Sequence, residues 1–321
     1  MAIAKVAIIG LGLLGGSIGL AVKEFLPGVT TTGFDMEPGV RVRAGQRSLV
    51  DMVCADAAEA VHDADLVIFC VPVGAIPDAA AQIKGSLPAN AIISDVGSSK
   101  QTVGEALRAA LPDHTIIPAH PVAGTERSGP EAGFATLFQH RWCILTPEAD
   151  APAQALDDVR KFWEGIGARI EIMDAAHHDL VLAVTSHIPH LIAYTIVGTA
   201  SDLEDVTRSE VIKYSAGGFR DFTRIAASDP TMWRDVFLHN RGAVLEMLDR
   251  FSKDLAEMQQ AIHSGDGDAL FDLFSRTRDI RNSIIEMGQD DARPDFGRTD
   301  HTNQADHTNQ ADQTDQNNDK S

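Results

Sequence analysis

A chain of 321 residues that is 44% hydrophobic and 23% charged has the composition of a globular protein, and is long enough for two domains with separate cores. Its net charge of −19 excludes a nucleic-acid partner, because a phosphate backbone requires a basic footprint. Three cysteines, Cys54, Cys70 and Cys143, lie far apart without CxxC pairing, which argues against a zinc site or a disulfide framework and fits a reducing cytoplasm.

The N-terminal MAIAKVAIIGLG turns glycine-rich before a signal-peptide segment can develop. Its KVAIIG run is a strand, followed by Gly10-Leu11-Gly12-Leu13-Leu14-Gly15 and a helix from about Leu14 to Glu24. GxGxxG is a weak signal alone, but here it sits between strand and helix, where its mechanism operates. Gly10 permits a tight turn, Gly12 lets backbone approach a pyrophosphate, and Gly15 lets the helix lie close on the sheet. The helix N-terminus then offers free N–H groups to the anion. The next strand, TTTGFD, ends in Asp35, twenty residues after Gly15, where a carboxylate can hold the adenosine ribose and repel a 2′-phosphate. NAD is therefore expected over NADP, although Arg41 and Arg43 follow closely.

Further β-branched runs, LVIFC, AIIS, HTIIPAH, RWCILTP and ARIEIM, alternate with helical stretches and predict a Rossmann-type, doubly wound, mostly parallel sheet. Ligands in such sheets lie at the C-terminal edge. That edge receives Val71-Pro72 after LVIFC, Asp95 to Lys100 with Ser98 after AIIS, and His120 after HTIIPA. A histidine beside a proline is more often a hydrogen-bonded turn residue than a catalyst, so position is what recommends His120 as a working group.

From 173 to 289 the pattern changes to long helices without a convincing strand, giving domains at 1–172 and 173–289. The apolar stretch 179–198 nearly reaches membrane-spanning length, but two His, a Ser, two Thr and a Pro interrupt it, and a helix buried among helices is expected instead. In its SHIPH segment, Pro189 predicts a kink that directs His190 inward. His187 and His190 have no third ligand in view, and no metal is expected. His177, His178 and Asp179 read as a helix-start network, and Trp233 as core and dimer contact. Arg224 lies three residues after Asp221, which can buttress it on one helix side. The tail 290–321, with HTNQAD twice in succession, is too polar to offset its chain entropy and is expected to be disordered.

Together DVGSSK, AHPVAGTERSG, VTSHIPH and FRDFTRIAASDPTMWRD resemble the prephenate/arogenate (cyclohexadienyl) dehydrogenase family of tyrosine biosynthesis, over residues 5 to about 285. The resemblance implies a Rossmann domain followed by an all-α dimerisation domain, a homodimer, and oxidative decarboxylation of prephenate or arogenate with NAD or NADP. It also implies His120 as the catalytic histidine and Ser98 as the serine that hydrogen-bonds the substrate's ring hydroxyl. His190, Arg224, Glu126 and Thr125 are implied as substrate-binding, Glu126 at the pocket mouth. No room remains after the helices for a folded regulatory module, so feedback control by tyrosine is less expected. Two other readings stand beside this one: a two-domain β-hydroxyacid or imine reductase, and a non-catalytic dinucleotide sensor. The His120 loop argues against the first, and a sensor has no use for His120, Ser98 and Arg224.

Overall fold

The computed structural model describes residues 3–125, 127–202 and 217–286. Six strands form a parallel sheet in the order β3-β2-β1-β4-β5-β6. They are β1 (Lys5–Ile9), β2 (Thr30–Phe34), β3 (Met52–Val53), β4 (Leu66–Phe69), β5 (Ile92–Asp95) and β6 (Thr115–Ile116). The chain reverses its direction of sheet growth between β3 and β4, so β1 and β4 flank the switch point where doubly wound sheets bind ligands. Strand β4 is buried along its whole length, as a central parallel strand must be, and reads as a continuous apolar run. Helices α1 (Leu13–Phe25), α2 (Pro38–Gln46), α3 (Ala57–Val61), α4 (Ile76–Ile83) and α5 (Gln101–Ala110) complete the crossovers. Two apolar clusters form, one containing Ile8, Ile18, Phe138 and Trp163, the other Ala7, Phe69, Ile76 and Leu107. Alternate residues of β1 thus feed opposite faces of the sheet.

The HTIIPAH run is two strands rather than one. Ile117 still donates to Ile93 of β5, but Pro118 has no N–H for the ladder. The chain there leaves the parallel sheet and enters β7 (Ala119–Pro121), which pairs antiparallel with β8 (Trp142–Leu145). Beyond α6 (Ala153–Gly165), β9 (Arg169–Ile172) pairs parallel with β8. His120 therefore sits in a small three-stranded sheet of its own, on an edge strand that tolerates Pro121.

After Ile172 the described residues are helical: α7 (Ala175–Leu182), a π turn at Ala183–His187, α8 (Ile188–Asp202), α9 (Gly217–Thr223), a 3₁₀ turn at Arg224–Ala227, α10 (Pro230–His239), α11 (Arg241–Ser264) and α12 (Gly267–Glu286). The shared core here is thin, centred on Ala183, Ile188 and Val244. Large apolar side chains stay exposed, including Leu255 and Ile262 on α11, Phe271 and Phe274 on α12, and Val184, Ile196 and Val197 on the 175–202 run. That run is long and apolar enough to cross a membrane by length and composition, and only 28% of its most apolar stretch is buried. The expectation of a helix enclosed by other helices is thus met on one side only. The tail at 290–321 and Glu126 lie outside the described residues.

Candidate active site

The first βα turn has the shape its glycines predict. Gly10 has φ +103°, and a side chain there would strike the Cys70 carbonyl at 2.5 Å. A methyl on Gly15 would come within 1.9 Å of the Gly10 carbonyl, so the helix can lie this close only without one. Around Gly12, by contrast, nothing stands within 4 Å of where a methyl would go. No side chain caps α1, so its first-turn amides, Leu13 and Leu14 among them, face the open space over Gly12. Asp35 is half-buried and shapes the turn directly: Oδ2 accepts from Leu11 N at 2.9 Å and Oδ1 from Glu37 N at 3.0 Å. The Leu11 amide is thus committed to Asp35, and its side chain is fully buried. Arg41 donates to the carbonyls of Asp35 and Met36 and lies over the Phe34 ring, while Arg43 pairs with Glu131 at 2.7 Å. Along the same edge, Val71 is half-buried and Pro72 exposed after β4.

A second cluster forms where the helices meet the sheet. His120 is 8% exposed, not displayed in a loop, and its Nδ1 lies 2.8 Å from His178 Nε2 on α7. His178 Nδ1 in turn lies 2.9 Å from Asp179 Oδ1. The same carboxylate accepts from Lys100 N at 2.7 Å and Gln101 N at 3.0 Å, capping α5 from the other half of the molecule. Behind His120, the fully buried Lys100 Nζ pairs with Asp95 and donates to the Ala119 carbonyl at 2.7 Å. Burial pushes the Asp95 carboxyl up and the Lys100 ammonium down, each opposed by the other's charge. Burial, and then the proximity of His178 and Lys100, holds the His120 pKa well below the ordinary histidine value. Burial lowers His178 as well. Both rings are therefore neutral at physiological pH.

Asn240 extends the cluster. Its side-chain N–H₂ donates to the Asp179 carbonyl at 2.8 Å and to His187 Nδ1 at 3.1 Å. His187 is buried, with a pKa lowered to about 4, chiefly by desolvation. His190 Nδ1 donates to the Ser186 carbonyl at 2.8 Å, and its ring stacks on Trp233 with centroids 3.6 Å apart. The π turn does what a proline kink was expected to do. Pro189 has no N–H for the turn before it, and the helix accommodates one wide turn that brings His187 and His190 to the same interior. Trp233 lies on α10, which can approach the loop after β4 because Gly74 leaves room for the Asp235 carboxylate, 3.0 Å from where a side chain would begin.

Of the residues singled out by sequence, His120 and His190 join this interior. Burial lowers the His190 pKa, and the positive charge of Arg224 acts in the same direction. Arg224 is exposed and begins the 3₁₀ turn, whereas the Asp221 carboxylate faces Arg220 Nε at 3.4 Å. Ser98 is half-buried in the β5–α5 loop, two residues before the amide held by Asp179. Thr125 is half-buried, and its hydroxyl accepts from Arg127 N at 3.2 Å. The helix-start reading of His177, His178 and Asp179 holds for α7 only at His177, whose N–H meets the cap Asp174 at 2.8 Å, whereas Asp179 serves the start of α5. His177 points outward, while His178 and Asp179 share the buried side with Leu182 and Ala183. The three- and four-residue spacing of that side was the available signal. Trp233 is also more than core, since it forms a wall against His190. The sequence marks neither His187 nor Asn240 as a site residue: Asn240 sits alone between two helices and offers no pattern to find.

The family models for prephenate dehydrogenase match the chain in two parts, the nucleotide-binding domain at residues 18–172 and the dimerization domain at 174–276. A cyclohexadienyl dehydrogenase of Zymomonas mobilis is 48% identical over 87% of this chain and 95% of its own length. A prephenate dehydrogenase of Bacillus subtilis is 33% identical over 89% of this chain and 77% of its own. Among solved structures, prephenate dehydrogenase from Aquifex aeolicus in complex with hydroxyphenyl propionate and NAD+ superposes with a TM-score of 0.83. It is 30% identical, over 88% of this chain and 99% of that one.

Proposed function

The chain belongs to the prephenate dehydrogenase family, and on that footing we propose that it oxidatively decarboxylates prephenate, arogenate or both, passing a hydride to NAD. The observation that carries the reading is a buried neutral histidine, His120, on the strand whose Ala119 carbonyl is held by Lys100 after β5, in a molecule whose first βα turn leaves open space at Gly12. Bound over that turn, the dinucleotide would supply the hydride acceptor. Asp35 favours NAD: a carboxylate suits ribose hydroxyls, and the two nearby arginines that could hold a 2′-phosphate are engaged with backbone carbonyls and Glu131.

The substrate ring bears a hydroxyl on C4 and a carboxylate on C1. As hydride leaves C4, His120 takes the hydroxyl proton, a task that needs an unprotonated imidazole. Ser98, whose side chain makes no hydrogen bond among the described residues, orients that hydroxyl. Loss of CO₂ from C1 returns its electron pair to the ring, which becomes aromatic, and His120 can give the proton back to the phenolate oxygen. Arg224 holds a substrate carboxylate with a planar fork, and His190 faces the side chain where keto and amino substrates differ. Thr125 and Glu126 are substrate-binding residues in this reading. Gly10 to Gly15, with the Leu13 and Leu14 amides, and Val71 and Pro72 line the cofactor side.

The helical part from 173 onward is the dimerisation unit in this reading. Its thin core and its exposed Leu255, Ile262, Phe271 and Phe274 call for a second copy to cover them. Three free cysteines suit a soluble enzyme of the reducing cytoplasm. Purified protein given NAD and prephenate should produce NADH and 4-hydroxyphenylpyruvate. Absence of NADH with both prephenate and arogenate would overturn the reading, and parallel kinetics with the two substrates would rank them.

A further inference from the structure

We propose that His178 and Asp179 are positioning residues that fix the tautomer of His120, placing its proton on Nδ1 and its lone pair on Nε2. This rests on the reading of His120 as the base and names the groups that make it one.

The argument follows the hydrogens. Asp179 accepts the backbone amides of Lys100 and Gln101, one on each oxygen, so it is an acceptor at both. An ionised carboxylate has no proton to give. The contact of 2.9 Å between Asp179 Oδ1 and His178 Nδ1 therefore requires the proton to be on that nitrogen. A neutral His178 then has only a lone pair at Nε2. The 2.8 Å contact from that atom to His120 Nδ1 requires a proton on His120 Nδ1, since two facing lone pairs would repel. His120 is neutral as well, so Nε2 is left as its basic atom, and it has no protein partner among the described residues. The opposite tautomer would set a lone pair of His178 against a carboxylate oxygen in a site closed to water.

Burial makes the device effective. His178 is fully buried and Asp179 nearly so, and hydrogen bonds to an ionised group gain strength where water is excluded. Asp179 is held from three sides, by the two amides at the start of α5 and by Asn240 on its own carbonyl. The logic is that of the acid in a Ser-His-Asp triad, which orients an imidazole without taking its proton. Here a second imidazole stands between the carboxylate and the working ring. The relay also crosses the molecule: His120 belongs to β7, while His178 and Asp179 belong to α7.

Two measurements test this. Nuclear magnetic resonance of the full chain with nitrogen-15-labelled histidine, at neutral pH and without substrate, should show His120 protonated at Nδ1 and bare at Nε2. His178→Leu removes the acceptor, and should lower kcat about 10–100-fold while KM and the Kd for NAD change by less than about twofold. His178→Gln, which restores an acceptor oxygen, should recover most of that loss. A wild-type His120 carrying its proton on Nε2 would overturn the proposal, even if His178→Leu does not fold. A folded His178→Leu with kcat within about twofold of wild type would overturn it too. Failure of the catalytic reading looks different: His120→Asn would keep full turnover while the wild-type tautomer remained as proposed.

Discussion

The glycine turn after β1 and the histidine cluster between β7 and α7 serve one proposed site by different means. The turn is made of backbone: its shape follows from what is missing at Gly10, Gly12 and Gly15, and only Asp35 contributes a side chain. The cluster is made of side chains held by other side chains, His120 by His178, His178 by Asp179, and His187 by Asn240. A site made of absences is robust to its surroundings and fragile to any added atom. A network of neutral and charged partners tolerates small changes of shape, but depends on which atom carries each proton.

The comparison can be broken most severely at His120. His120→Asn is expected to lower kcat by about 10²–10⁴ and to leave the Kd for NAD within about twofold, measured by steady-state kinetics and a cofactor titration. Equal losses in both would make His120 a structural residue. On the backbone side, Gly15→Ala should destabilise the fold by about 3 kcal/mol, because its methyl would meet the Gly10 carbonyl. Gly12→Ala should melt like wild type yet bind NAD about tenfold more weakly, a cost of about 1.4 kcal/mol. If thermal melts rank these two glycines alike, the cradle is not built as described.

Asp35→Ser should raise NADP use relative to NAD about tenfold in kcat/KM, and an unchanged ratio would discredit the ribose assignment. A last effect concerns acid. Burial lowers the pKa values of His120, His178 and His187, so the unfolded chain binds more protons than the folded one below the ordinary histidine value of about 6.5. Their contribution to stability is complete above that pH and is lost as pH falls toward the folded value, about 4 for His187. Each can cost at most about 1.4 kcal/mol per pH unit. Melting temperature should therefore fall between pH 7 and pH 5, and less steeply for His187→Asn.

The turn could be read from sequence because its parts lie within 25 residues and each glycine has a local reason. The alternation of strands and helices was equally local, and it shows a mostly parallel, doubly wound sheet; the short β3 and the placing of β8 and β9 in a second sheet are not visible in it. The split of HTIIPAH was harder, since only Pro118, one residue without an N–H, separates two strands of different sheets. The cluster was legible at His120 and His190, through position and resemblance. His178 and Asp179 read from sequence as part of a helix start, because the contacts that tie them to His120 and α5 span 58 and 79 residues. No periodicity reports such a pairing. The exposed apolar faces of α11 and α12 follow from the same limit: a helical pattern shows that a face must be covered and is silent on what covers it.

The bond between His120 and His178 also limits how modular this enzyme can be. In a design that joins the strand-bearing half to a helical half from elsewhere, the cofactor turn would carry over unchanged, since Asp35, Cys70 and Val71, which shape it, all belong to the strand-bearing half. The base would not. A chimera whose first helix lacked an acceptor opposite β7 would bind its dinucleotide and yet hold an imidazole of undefined reactivity. Recombination between relatives should therefore succeed only where β7 and the start of α7 are inherited as one unit.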